Sequence, residues 1–367
     1  MSGSTYGNLF RIMTWGESHG AGIGVVIDGC PAGLSLCESD IQIFLDRRKP
    51  GQSKFTTKRN ESDQVEILSG VFEGITTGTP ISLMVKNTNQ NSSHYDNLAN
   101  LYRPGHADYT FAQKYGFRDH RGGGRSSGRE TIGRVASGAI ASKLLSELGI
   151  QIITYTKSIG PVTISPSEYD YNQINENKLY MPNNASAAEA SAYLEKLIET
   201  LDSSGGTIEC VVKSMPVGIG ETTFDKLDAA LAKAVMSIGA VKAVEIGDGI
   251  QVSSVTGSQN NDSFCLKEGR ISKTTNHSGG VLGGMSDGSD IILRASVKPT
   301  PSIAREQHTV NTDGTPIDIS IHGRHDPVIM PRAVVVVESM VALTLIDLIF
   351  QNMSSRLDSI KNFYLED

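Results

Sequence analysis

The chain has 367 residues, 38% hydrophobic and 20% charged, enough to bury a substantial core in one large domain or in two or three smaller ones. A formal net charge of −7 excludes a general nucleic-acid coat, so any basic site has to be local. The cysteines (Cys30, Cys37, Cys210 and Cys265) show neither a CxxC pair nor zinc-like spacing, which predicts reduced thiols and no metal site. The opening MSGSTYGNLFRIMTWGESHG lacks a basic start followed by an apolar run, so no signal peptide is expected and the protein reads as cytoplasmic.

In chain order, GIGVVID (22–28) and PISLMVK (80–86) read as strands, and 132–148 as a helix stopped by Gly149. A strand at 151–156, a helix at 186–201, a strand at 207–213, a helix at 224–237 and a strand at 290–298 follow. The polar stretches 161–185 and 255–280 read as surface excursions or linkers. Near the C-terminus, AVVVVESMVALTLIDLIF (333–350) is apolar enough to suggest a membrane span. Glu338 and Asp347 interrupt it, and an acid at mid-bilayer costs roughly 2.5–3.5 kcal/mol. Pro331 suits a first helical turn, so the segment reads as a buried helix over 332–352. Strands and helices intersperse without regular alternation. That predicts an α+β fold rather than a doubly wound sheet, in a single domain over residues 1–367.

The stretch RDHRGGGRSSGRET (118–131), with Arg134 beyond it, has nothing to give a core. Its glycines free the backbone for close approach to a ligand, and its serines and N–H groups precede a helix start, where anions bind. Arginine adds planar, bidentate donors for phosphate or carboxylate. Two familiar phosphate motifs fail. There is no Gly-Lys dipeptide and hence no Walker A loop, and GAGIG (20–24) opens a strand instead of following one. Basic residues recur at Arg47, Arg48, Lys49 and Lys54, at Arg324 and His325 beside Asp326, and at Lys298. Together they predict one cationic cleft for a small polyanion. His19 in GESHG and His106 in RPGHAD sit among small residues and are candidate proton donors. His94, His120, His277, His308, His322 and His325 are read as structural or surface residues.

The blocks GESHG, DRRKPGQSKFTTKRNESD, YRPGHADYT, GGGRSSGRETIGRVASGAIA, MSIGAVKAVEIGDG, GGVLGGMSDGSDI, KPTPSI and GRHDPVIMPRAV resemble the successive signatures of the chorismate synthase family. The resemblance runs from about residue 6 to residue 350. It implies a β-α-β sandwich with helices between antiparallel sheets, assembled as a homotetramer. It also implies anti-1,4-elimination of phosphate from 5-enolpyruvylshikimate 3-phosphate to give chorismate, the last common step toward the aromatic amino acids. Reduced FMN is the implied cofactor, needed without net redox change. By matching motif, His19 would protonate the departing phosphate, His106 would stand by the flavin, and Asp347 would relay a proton with it. The residues add a reason for the last. Asp347 lies nine positions, about 180° of helix, from Glu338, and between Ile346 and Leu348 it calls for a partner or for protonation. Arg48, Arg125, Arg129 and Arg324 would hold the substrate. Arg125, Ser126, Ser127, Gly239, Ala240, Gly283, Lys298, Pro299, Thr300, Pro301, Ser302 and Arg324 would hold FMN. A nicotinamide nucleotide is implied near Arg48 and Lys54. Two positions depart from the family pattern: Gly239 stands where asparagine is common, and Val335 where proline is. A binding cleft without turnover and a flavin-dependent oxidoreductase are the alternatives.

Overall fold

Two five-stranded sheets face each other across a layer of helices in a computed structural model that describes residues 3–56, 61–88, 98–121, 123–321 and 326–365. The first sheet joins β1 (Thr5–Tyr6), β2 (Arg11–Gly16), β3 (Gly22–Asp28), β4 (Val65–Ile67) and β5 (Ile81–Lys86) in the order β1-β2-β3-β5-β4. The second joins β6 (Gln151–Ile159), β7 (Val162–Thr163), β8 (Gly206–Lys213), β9 (Val241–Ile246) and β10 (Ile291–Val297) in the order β9-β10-β8-β6-β7. Every pairing in both is antiparallel, so the fold is α+β. Period-two alternation sends Ile23, Val25 and Ile27 of β3, and Ile291, Leu293 and Ala295 of β10, to the helical layer.

The layer between holds α1 (Glu38–Arg48), α3 (Thr131–Glu147), α5 (Leu227–Met236) and α6 (Met330–Asn352); α2 (Asp108–Tyr115) and α4 (Asn184–Glu199) lie outside it. A helix sandwiched between sheets meets apolar neighbours on several sides, which is why α3 and α6 are apolar almost all round. Helix α6 is long and apolar enough to cross a membrane, yet 89% of its most apolar window is buried inside the protein. Its two acids are both answered. Glu338 takes a bidentate pair from Arg47 at 2.9 and 2.6 Å, and Asp347 accepts backbone N–H groups. Helices α3 and α6 cross where Gly138 meets Ser339, so closely that a Cβ on Gly138 would stand 2.2 Å from the Ser339 Cβ. Val335 is fully buried mid-helix, and its carbonyl accepts the Ser339 hydroxyl at 2.7 Å.

The segment 161–185, expected as an excursion or linker, covers the outer face of the second sheet. Tyr169, Tyr171 and Ile174 cluster there on Tyr155, whose hydroxyl donates to Glu209 at 2.5 Å. Helix α1 and strands β2 and β9 were not expected from the sequence.

Candidate active site

The glycine-arginine stretch forms two short 3₁₀ turns, Gly124–Ser126 and Gly128–Glu130, that lead into α3. Gly123 and Gly124 adopt φ of 81° and 50°, a region that suits glycine, and so fold the loop back on itself. Arg125 reaches across to the first sheet, donating to Thr14 Oγ1 at 2.6 Å and to the Gly16 carbonyl at 3.1 Å. Ser127 accepts the Arg129 N–H and starts the second turn.

Arg48 and Arg129 meet below the cleft on one carboxylate. Asp63 accepts Arg48 Nη1 at 2.9 Å and Arg129 Nη1 at 2.8 Å, all three being buried. Arg48 also donates to Thr131 Oγ1 at 3.1 Å and to the Gly128 carbonyl at 2.9 Å, fixing the floor under the α3 N-terminus. Burial and the nearby charge of Arg332 push Arg48 down to about 9, against the pull of Asp63; it stays cationic at neutral pH. Arg129 further pairs with Glu61 and donates to Asn87 at 2.6 Å, while its Nη2 is buried with no partner among the described residues.

His106 sits on a loop built by Asp108 at the start of α2. Asp108 takes Arg103 Nε and Nη2 at 2.7 and 2.8 Å, and Arg118 at 2.8 Å. Burial alone would raise the Asp108 carboxyl, but Arg103 hydrogen bonds and the charges of Arg103 and Arg118 hold it down at about 2. The Pro104 carbonyl, 3.0 Å from His106 Nδ1, can only accept, so Nδ1 carries the hydrogen and Nε2 faces Ser302 Oγ at 2.7 Å. Lys298 Nζ donates to the Gly105 carbonyl at 2.8 Å, and the Lys298 N–H to the Ala240 carbonyl at 2.9 Å. Three separate sequence blocks are thereby tied into one wall. Ala240 takes φ of 76°, unusual for a residue with a side chain.

These walls enclose a cleft of about 1080 Å³. Among the described residues it is lined by Arg48, Arg103, Arg125, Arg129, Arg134, Lys233, Lys298 and Arg332, against the acids Glu130 and Asp326. A chain of net charge −7 therefore carries a strongly cationic hollow. Ser126, Ser127, Gly239, Ala240, Thr300, Pro301, Ser302 and His106 also line it.

Other expected residues do not line it. Lys54 is exposed and paired with Glu195 on α4, apart from the buried Arg48 with which it was expected to share a nucleotide. Gly283 sits at a hairpin tip between Val281–Leu282 and Met285–Ser286, and Pro299 is not among the lining residues. His19 is half-buried in the loop after β2, its Nδ1 3.1 Å from Ser18 Oγ. Asp347 lies on α6 two turns beyond the lining residue Met340, bound to Asn8, Leu9 and Phe10. Arg324 lies outside the described residues, as do His94, His322 and His325. Arg103, Lys233 and Arg332 line the cleft without having stood out in the sequence. Arg134 was visible as the next arginine of the cluster; it spans Glu130 at 2.9 Å and Ser237 at 2.6 Å.

The sequence profile of the chorismate synthase family matches residues 10–350. A chorismate synthase of Agathobacter rectalis is 64% identical over 364 residues, 99% of each chain. One of Methanocella arvoryzae is 54% identical over 352 residues, covering 95% of this chain and 94% of its own. A crystal structure of chorismate synthase superposes with a TM-score of 0.77 at 30% identity, over 97% of this chain and 96% of the other. Spanned by that profile and matched nearly end to end by such relatives, the chain belongs to the chorismate synthase family, lyases that eliminate phosphate from 5-enolpyruvylshikimate 3-phosphate to give chorismate.

Proposed function

We propose that the cleft binds 5-enolpyruvylshikimate 3-phosphate together with reduced FMN, and that phosphate leaves by anti-1,4-elimination with no net redox change. The observation that carries this reading is the cationic hollow of about 1080 Å³, joined by hydrogen bonds to a wall of small and hydroxylated residues. That wall fits a flavin. Among the described residues, Thr300 Oγ1 is buried in it without a partner, and a Cβ on Gly239 would meet nothing within 4 Å, leaving open space where asparagine is common. Ser126, Ser127, Gly239, Ala240, Lys298, Thr300, Pro301 and Ser302 would hold the cofactor. Bound there, reduced FMN supplies electron density to a substrate whose carbon-bound hydrogen is too weakly acidic for a side-chain base.

The chain's own residues do the rest. Arg125 presents charge-assisted donors to the anionic groups, and Arg48 and Arg129, held by Asp63 and Glu61, form the floor beneath them. His106, with Nδ1 held by Pro104, takes up or releases a proton at Nε2 through Ser302 at the cleft wall. His19 protonates the departing phosphate. Its loop is tied toward the cleft by Arg125 on Gly16 and by Asn87 Nδ2 on the Glu17 and Gly20 carbonyls at 2.9 and 2.8 Å. One apolar core running through both sheets and the helical layer supports a single domain for the whole chain. In this reading the protein is cytoplasmic and a homotetramer; exposed Phe264, Leu266 and Ile271 on one hairpin support association of copies.

Anaerobic phosphate release with chemically reduced FMN tests the proposal. Turnover is expected with reduced FMN alone, one phosphate per chorismate, with the flavin still reduced at the end. Equal turnover with oxidised FMN, or consumption of one reductant per product, overturns it, the latter in favour of an oxidoreductase.

A further inference from the structure

We propose that Asp347 is a positioning residue: it fixes the β1–β2 turn, and through it one wall of the cleft, instead of exchanging a proton with a ligand. The inference rests on the function proposed above. Asp347 is 6% exposed. Its Oδ1 accepts the Leu9 N–H at 2.7 Å and the Phe10 N–H at 3.0 Å. The Asn8 N–H is shared between both oxygens at 3.0 Å, and Gln351 Nε2 reaches Oδ2 at 2.9 Å. Successive N–H groups closing on one carboxylate make a backbone nest. A proton added to either oxygen would set an O–H against an N–H donor, so this carboxylate is built to stay an acceptor.

The turn it closes has a second lock. Gly7 takes φ of 90°, and a Cβ there would lie 2.1 Å from the Phe10 carbonyl oxygen. What the turn carries reaches the cleft on both strands. On β1, Tyr6 lines the cleft and donates its hydroxyl to Thr344 Oγ1 at 2.7 Å; the Thr344 proton goes to the Met340 carbonyl at 2.7 Å. On β2, Thr14 and Gly16 receive Arg125. The helix of Asp347 and Thr344 is also the helix that lends Ala333, Val336 and Met340 to the cleft lining. Asp347 thus registers the β1–β2 hairpin against α6 two turns beyond the cleft, and that register places Tyr6 and Arg125.

Three variants of the full chain test this: Asp347→Asn, whose amide sets an N–H₂ against the donors; Gly7→Ala, which opens the same turn without touching the carboxylate; and Thr344→Val, which frees Tyr6. Amide hydrogen exchange at Asn8–Phe10, the Kd for FMN, KM for the substrate and the pH profile of kcat are read for each. In Asp347→Asn and Gly7→Ala, exchange at Asn8–Phe10 should quicken, and Kd and KM rise, by roughly tenfold or more. Thr344→Val should raise Kd and KM by a smaller factor, and every variant should keep both limbs of the wild-type pH profile. Loss of one limb in Asp347→Asn, with slow exchange, unchanged Kd and near-normal Gly7→Ala and Thr344→Val, would make Asp347 a proton-transfer group. If Asp347→Asn does not fold, the other two decide: binding unchanged in both overturns the proposal. Should wild type release no phosphate, the proposed function fails, while exchange and FMN binding still decide the role of Asp347.

Discussion

At the scale of single residues, the site is a set of side chains whose roles depend on what already holds them. His106 has one nitrogen committed to a carbonyl that can only accept, which leaves Nε2 as the position where a proton comes and goes. His106→Ala should therefore lower kcat by roughly 10²–10⁴, the usual span for a general acid–base group, with Ser302→Ala losing less. Steady-state rates at saturating substrate check this; a His106 variant near wild type would make the histidine a loop strut. Arg125 is held differently, since two of its donors are already spent on Thr14 and Gly16. Arg125→Ala should still weaken FMN or substrate binding by roughly 2–4 kcal/mol, because two or three charge-assisted hydrogen bonds go with it. Titration of both ligands decides, and unchanged affinity for both would reduce Arg125 to a tie between loop and sheet. Of these roles the sequence showed the residue types and their company. It did not show the partners, because Ser302, Thr14 and Gly16 come to His106 and Arg125 from distant parts of the chain by geometry that no local pattern encodes.

At the scale of elements, the helical layer is packed to contact, and α3 against α6 is its tightest seam. Gly138→Ala would put a Cβ 2.6 Å from the Ser339 Cα as well as onto its side chain, so backbone has to move. Overpacking of this kind costs roughly 1–3 kcal/mol, to be seen as a lower urea midpoint with unchanged slope. The α2 start gives a pH prediction. Asp108 is depressed to about 2 in the folded chain, so its contribution is complete above the unfolded value and disappears as pH falls from about 4 to about 2. That contribution is at most about 2.5 kcal/mol. Asp108→Asn should be destabilised by up to that amount at pH 7, with the gap to wild type closing through that window in urea melts at stepped pH. Elements differed in how legible they were for physical reasons. The 132–148 and 332–352 helices stood out because burial on several sides makes them apolar all round. Helix α1 did not: ESDIQIFLDRR buries Ile41, Leu45 and an arginine, and its basic end reads as part of a turn. Strand β2, RIMTWG, exposes Arg11, Met13 and Trp15, which hides its alternation.

At the scale of the molecule, the basic clusters were legible as a set and their fates were not. Arg47 and Arg48 are adjacent, yet Arg47 leaves for Glu338 on α6 while Arg48 goes under the cleft to Asp63. One residue of helical rotation separates them, and which carboxylate waits on each side is a matter of tertiary packing. The cleft lining gathers from β1, β2, α1, α2, α3, α5, α6 and the loops between, so long-range contacts assemble what the sequence lists piecemeal. The result is a separation of charge: a chain of −7 overall with eight lysine or arginine side chains around one hollow, among the described residues, and two acids. Such a field raises the local concentration of a small polyanion, and its reach outside the cleft is about one Debye length, roughly 8 Å at physiological salt. The substrate carries a phosphate and two carboxylates, so most of its attraction is felt on approach and in binding. The proton and bond changes occur after the anion has settled against buried groups that salt screens far less. Raising ionic strength from roughly 10 mM to 0.5 M with an inert salt should therefore raise KM several-fold while kcat stays within about twofold. Charge-reversing Lys233→Glu at the exposed mouth should raise KM at low salt and flatten its salt dependence. A KM indifferent to salt, or a kcat that falls in step with it, would show that the basic residues act by contact alone and that the separation of charge has no part in capture.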